Sequence, residues 1–289
     1  MLGSIPDAHL VACVDIDPQR SADCPAGVLF TTSLDDALDA KGVKAVIVAT
    51  PPETHRHIVE SSAARDLAIL CEKPLAGNLA DADAILTATR IATVFVVGHT
   101  YRFEPRYRAV QAAVASGSIG DLISISAWLN SDLSEQAYYA PRTTLAREMA
   151  VHHLDVFRWM GGEVTRISGE VARWRGLEAG MVANASFKSG AVANLQVSWA
   201  HPAGSPFDHG LSVIGSSGLA QVAHDGGASI PGALRDELTT FLECARGRSD
   251  WPLAPSDARA ALALSLALEE ALASGNVVEL PQSIVGGAA

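Results

Sequence analysis

Only four of the 289 residues are lysine, Lys41, Lys44, Lys73 and Lys188, and nowhere do lysine and arginine gather into a block. With a net charge of −11, the chain lacks the positive footprint that nucleic acid or an anionic membrane surface demands, so neither is expected as a partner. The four cysteines, at 13, 24, 71 and 244, have no CxxC spacing, which argues against a zinc cluster or a disulfide framework and makes a reducing cytoplasm the expected setting. The opening Met1 to Asp7 has neither a basic start nor an apolar core and does not read as a secretory signal. The most apolar helical stretch, Ala258 to Ala273, carries Arg259, Glu269 and Glu270 and is too short and too polar to span a bilayer. No GxSxG elbow is present. His152-His153 and the pair His55 and His57 have no third ligand at a workable spacing, so no metal site is expected.

What remains is a chain of 48% hydrophobic residues, long enough for two domains. Apolar runs at His9 to Asp15, Val43 to Thr50, Leu67 to Glu72 and Val94 to Gly98 alternate with helical stretches, one capped by Ser33, one beginning near Thr54 and one at Asn78 or Asp81. Such alternation predicts a doubly wound parallel α/β sheet over residues 1–100. After Thr100 the period changes to two. Segments starting at Leu122, Arg166, Gly180, Ala191 and Leu211 alternate apolar and polar residues between turns, with helices at Arg147 to Met160, Arg235 to Ala245 and Ser256 to Ala273. Residues 101–289 therefore read as a second α/β domain with a mostly antiparallel open sheet.

Two stretches carry candidate chemistry. Leu67 to Leu70 is apolar and breaks off at Cys71-Glu72-Lys73-Pro74, as a buried strand does when its carboxyl end opens on a ligand crevice. On these residues alone, Glu72 and Lys73 serve equally well as a strand cap. In the helix from Arg147, Glu148, His152 and Asp155 recur at i, i+4 and i+7, a polar stripe in an otherwise apolar segment. A solvent-facing or salt-bridged stripe is the plainer reading of that helix by itself, with Asp155 placed to pair with Arg158. Arg102 either faces an anionic group or pairs with Glu104. Asp15 ends its strand where a carboxylate accepts the ribose hydroxyls of an adenine nucleotide.

Ala49-Thr50-Pro51-Pro52 with His55, Glu72-Lys73-Pro74, Tyr101-Arg102-Phe103-Glu104-Pro105, Gly117-Ser118-Ile119-Gly120, and His152-His153-Leu154-Asp155 before Phe157 to Gly161 come in an order and spacing that resembles the glucose–fructose oxidoreductase, inositol dehydrogenase and MocA family. The resemblance implies a Rossmann domain and a substrate domain whose open sheet makes a homodimer or homotetramer. It also implies hydride transfer between a nicotinamide cofactor and a sugar, polyol or related hydroxy compound. By the same resemblance His152 is the proton acceptor, Lys73 bonds the reacting oxygen, and Glu148 stands where the family has an aspartate that orients substrate hydroxyls. Arg102 and Asp155 would face substrate; Asp15, Thr50, Pro51, Pro52, His55 and Glu72 would border the cofactor with Lys73. Asp15 favours NAD over NADP by repelling a 2′-phosphate.

The family's glycine-rich GxGxxG turn, which holds the cofactor pyrophosphate at a helix N-terminus, has no counterpart before His9. The expectation is a chain short of one strand–turn–helix unit, with weak or absent NAD binding. A non-catalytic binding or scaffold subunit is the alternative to an active enzyme.

Overall fold

The computed structural model describes residues 5–90, 94–223 and 228–281. The chain forms two compact units, Met1–Gly98 with Leu234–Pro255, and His99–Ala233 with Ser256–Ala289.

In the first unit β1 (Ala12–Val14) pairs in parallel with β2 (Leu29–Thr31). Three further parallel strands, β3 (Ala45–Val48), β4 (Ala68–Glu72) and β5 (Phe95–Gly98), form a separate sheet in that order. The helices are α1 (Leu34–Leu38), α2 (Pro52–Ala63) and α3 (Leu79–Ala88). Ser33 caps α1 by accepting from the Asp36 amide, and Asn78 caps α3 through Asp81, each side-chain oxygen satisfying an amide that the helix leaves open. β4 is buried from Ala68 to Cys71, as a strand with neighbours on both edges should be.

Two expectations need correction. The first strand is three residues long rather than seven and is not buried, with Val14 38% exposed, because β2 bonds one edge of it and nothing among the described residues bonds the other. Helix α2 begins at Pro52, not Thr54, since the fixed φ of proline suits the first helical turn and its missing N–H is no loss there. β2 itself is too short to show any periodicity in the sequence.

The second unit holds α4 (Pro105–Ala115), β6 (Leu122–Asp132), α5 (Leu133–Tyr139), a π-helical turn (Ala146–Ala150) running into α6 (Val151–Gly161), β7 (Val164–Trp174), β8 (Leu177–Phe187), β9 (Val192–His201), β10 (Asp208–Gly215) and β11 (Leu219–Val222). Helix α7 (Ile230–Ala245), helix α8 (Pro255–Ser274) and strand β12 (Val278–Glu279) follow. The seven strands lie in the order β11-β10-β6-β9-β8-β7-β12, all antiparallel except β6 with β9. One face is the core: Ile125, Leu129, Leu195, Val197 and Val213 pack with Leu154 and Phe157 of α6 and with Leu264 and Leu268 of α8. Burying each such side chain contributes about 1.5–3 kcal/mol. Alternate residues point the other way, and there Val182, Val192 and Ile214 stay about half exposed.

Helix α7 follows the second sheet in sequence, yet from Leu234 it belongs to the first unit. Leu238 and Phe241 are buried against Ala68, Leu70 and Val96 of β4 and β5, which need an apolar cover on that face. A division at residue 100 therefore leaves out a returning segment.

Candidate active site

The carboxyl ends of the parallel strands in the first unit carry most of the residues singled out by sequence. Asp15 follows β1 and is partly exposed, its Oδ1 accepting the Asp17 amide at 2.9 Å. Thr50, Pro51 and Pro52 follow β3. Glu72 ends β4, its Oε2 accepting the Lys73 amide at 3.2 Å, and the Lys73–Pro74 peptide is cis. Beside Glu72 in register stands Gly98 of β5. Its bare α-carbon makes room for two carboxylates: a Cβ there would lie 2.8 Å from Glu237 Oε1 and 3.3 Å from Glu72 Oε2. Glu237, wholly buried on α7, carries no signal in the sequence because its helix comes so late in the chain.

His55, expected to border the cofactor, is instead enclosed. Its Nε2 lies 2.8 Å from the Thr50 carbonyl, and its Nδ1 lies 3.2 Å from both the Leu75 carbonyl and Cys71 Sγ. Burial pulls this imidazole below its ordinary range against the opposing backbone bonds, and burial pushes the Cys71 thiol up, so both are neutral. His55 ties the end of β3 to the turn after β4; its role is to fix the shape of the loop that carries Lys73. A wide open cleft of about 590 Å³ lines the opposite end of this unit, at Val94–Val96 and Gly247–Trp251. It lies at the amino end of β5, where parallel sheets do not place their chemistry.

The second unit has its own constellation. A cavity of about 100 Å³ is lined by Glu148 and His152 together with Ser131, Glu135, Tyr139, Trp199 and Phe207 among others. Glu148 sits in the π-helical turn and His152 at the second position of α6, and both line the cavity, whereas Asp155, three residues further along α6, is turned to Arg102. Asp155 and Arg102, both expected to face substrate, are spent on each other. Arg102 Nε and its terminal nitrogen donate to the two Asp155 oxygens at 2.8 Å each, with the side chains 4% and 1% exposed. Although burial pushes the Asp155 carboxyl up, His99, Arg102 and Arg158 outweigh it and hold the group below the usual carboxylate range. Arg102 does not take Glu104 as its partner, because Glu104 caps α4 through the Tyr107 amide and pairs with Arg106.

An aromatic and imidazole cluster backs His152. The Tyr101 ring is tilted against His152 at 5.1 Å between centroids and stacks on Tyr107 at 4.7 Å and on His209 at 5.0 Å. The Tyr107 hydroxyl is bonded to His153 Nε2 at 3.0 Å and to His209 Nδ1 at 3.1 Å. Burial first, and His209 second, lower His153 to about 3, so it is a neutral partner in this chain. Tyr101 stands in a motif visible in the sequence; Tyr107 and His209 are 102 residues apart and nothing local couples them.

Among the described residues no group of three histidine, cysteine, aspartate or glutamate side chains could hold a metal ion, and no helix is long and apolar enough to cross a membrane. All four cysteines are free thiols.

Residues 1–99 match the family model described as the oxidoreductase family, NAD-binding Rossmann fold, and residues 107–221 match the GFO/IDH/MocA C-terminal domain. An inositol 2-dehydrogenase of Leifsonia xyli is 33% identical over 162 residues, covering 55% of this chain and 47% of that protein, so the match spans about half of the relative's length. The rhizopine catabolism protein MocA of Rhizobium meliloti is 28% identical over 265 residues, 85% of this chain and 81% of its own. The crystal structure of scyllo-inositol dehydrogenase from Lactobacillus casei with bound NAD(H) and scyllo-inositol superposes with a TM-score of 0.87 over 96% of this chain and 92% of that one. At 19% identity this last likeness establishes the fold.

Proposed function

The chain belongs to the GFO/IDH/MocA family of oxidoreductases, and from that premise we propose that it transfers hydride between a nicotinamide cofactor and a hydroxyl-bearing carbon of a sugar, polyol or cyclitol. The observation that carries this reading is the convergence of His152 and Glu148 on one cavity, with the Tyr101 ring against the imidazole.

Oxidising a carbinol means losing hydride from carbon and a proton from oxygen. His152, whose imidazole has an intrinsic pKa near neutrality, takes the hydroxyl proton, and Glu148 accepts hydrogen bonds from neighbouring hydroxyls to hold the ring. Lys73, on its loop fixed by His55, donates to the reacting oxygen. NAD, when bound, supplies the acceptor for the hydride. Asp15 would hold the adenine ribose and disfavour a 2′-phosphate, with Thr50, Pro51, Pro52 and Glu72 along the cofactor's path. The fit is partial: among the described residues no helix opens in a glycine-rich turn, and α2 opens with Pro52, which has no N–H, and the acidic Glu53. At the described helix starts a pyrophosphate thus finds no glycine-rich cradle of donors, and the expectation is weak NAD binding. A calorimetric dissociation constant of about a micromolar or tighter overturns that reading of the cofactor site.

Lys73→Ala and His152→Ala should each lower NAD-dependent turnover of polyols by about 10²-fold or more while circular dichroism is unchanged. Near-native rates in either variant remove that side chain from the chemistry. If no polyol reduces NAD at any cofactor concentration, the chain is a binding or scaffold subunit instead.

The half-exposed apolar residues on the open face of the seven-stranded sheet support a homodimer or homotetramer joined through that face. The expected setting is a reducing cytoplasm, which suits four free thiols. The division of labour follows the order of the chain, cofactor before residue 100 and substrate after it, with helix α7 returning to complete the first part.

A further inference from the structure

Away from both the strand ends and the cavity, two thiols meet on the first unit. Cys13 stands in the middle of β1, and Cys24 ends a 3₁₀ turn, Pro18–Asp23, that follows this strand, its amide bonded to the Ser21 carbonyl at 3.2 Å. β2 brings the two together. Leu29 lies in register with Ala12, and its amide is bonded to the Val11 carbonyl at 3.1 Å, so Val28 sits beside the start of β1. Cys24 Sγ donates to the Val28 carbonyl at 3.8 Å. With that hydrogen committed, its sulfur is left to accept from the Cys13 thiol, and burial followed by this contact with Cys24 pushes Cys13 up. The S–H bond of Cys13 is therefore aimed at the atom to which a disulfide would join it.

Both thiols are half-buried and within reach of a small reagent, whereas Cys71 and Cys244 are buried. The segment they bracket is weakly held. No residue of the 3₁₀ turn is buried, and its ion pair, Arg20 with Asp23, is open to water on both sides and contributes little. Asp15 and Asp17 accept amides of this same segment, from Asp17 and Gln19. A covalent bond between the two ends removes much of the remaining freedom. We propose that Cys13 and Cys24 are a reversible redox pair, a modification site that a low-molecular-weight disulfide such as oxidised glutathione closes, stapling the segment that carries Asp15 onto β1. One cysteine thiolate attacks a glutathione sulfur and expels the first glutathione; the other cysteine attacks the protein sulfur of the mixed disulfide and expels the second. Two protein S–H bonds and one glutathione S–S bond become one protein S–S bond and two glutathione thiols, so the cysteines are oxidised by two electrons and glutathione takes up both electrons and both protons. In a reducing setting the same exchange runs backward and the pair stays open, unlike a structural disulfide. This chemistry needs neither NAD nor a polyol and stands apart from hydride transfer.

Arg20 is the only lysine or arginine between the two cysteines, so trypsin places them on separate peptides, 1–20 and 21–41. The test equilibrates the full chain with oxidised glutathione, blocks the remaining thiols with iodoacetamide and digests it. Peptides 1–20 and 21–41 should appear joined, and apart after dithiothreitol, while thiol titration in denaturant should fall from four groups to two. Cys13→Ser and Cys24→Ser should each give no joined peptide and keep one glutathione on the remaining cysteine, with circular dichroism unchanged. In the native protein, oxidation should slow tryptic cleavage at Arg20 by about tenfold or more, an effect that Cys24→Ser abolishes. A thiol count that stays at four, a mixed disulfide that never closes, a crosslink between two chains or to Cys71 or Cys244, or an unchanged rate of cleavage at Arg20 overturns the proposal.

Discussion

Single residues in this molecule divide into those that face the cavity and those that hold it in shape, and burial tells them apart. Arg102 and Asp155 belong to the second kind. Asp155→Ala leaves a guanidinium buried without its carboxylate, a change that costs about 3–5 kcal/mol, and urea denaturation should read it as a lower midpoint with an unchanged slope. His153 gives a test by pH. Burial lowers it to about 3 from 6.5, so below pH 6.5 the unfolded chain takes up a proton that the folded chain refuses. The stability it contributes is complete above that value and falls as pH drops toward 3, by about 1.4 kcal/mol per pH unit. His153→Gln keeps a hydrogen-bonding partner for Tyr107 and should flatten this slope between pH 4 and 6.5. The sequence separates these roles only in part. His152, Glu148 and Lys73 stand out because polar groups break apolar runs. Glu135 does not, since it sits in a short polar stretch where any acid is unremarkable, and His55 reads as a site residue until its enclosure is seen.

Among the elements, those with strong local signals are legible in the sequence. β4 declares itself by four apolar residues ending in charge, α3 by its asparagine cap, and β8 and β9 by strict alternation of buried and exposed positions. Elements stabilised from outside are not. β2 and β11 are three and four residues long and exist because a neighbour offers them hydrogen bonds. The π-helical turn before α6 is invisible to a 3.6-residue period. Helix α7 shows in its sequence but the body it joins does not, because chain order says nothing of which sheet lacks a cover. Phe241 is wholly buried in that cover. Phe241→Ala should cost about 3–5 kcal/mol, and hydrogen exchange should show the loss in β3–β5 and α7 while the seven-stranded sheet keeps its protection.

For the whole molecule, the open sheet face and the path of the chain matter most. If a second copy covers the open face, Val182→Glu places a charge in the middle of the interface and should convert the oligomer to monomer in light scattering; a protein that is monomeric before the change refutes the assembly. The two-part α/β architecture is readable from the change of period after Gly98, since repeating strand–helix units and alternating strands leave different marks on sequence. The return of residues 234–255 to the first unit leaves no such mark. A fragment ending at residue 100 should accordingly show no cooperative unfolding transition, whereas the intact chain should.

That return also sets a clock. Leu70 and Val96 are synthesised long before Leu238 and Phe241, which bury them. At about 5–20 residues per second, the ribosome leaves roughly 7–30 seconds in which the first strands made have no partner for one apolar face. The part of the protein born first thus stays open until most of the chain has been made, and through that interval its most pressing need is for a chaperone rather than for a cofactor.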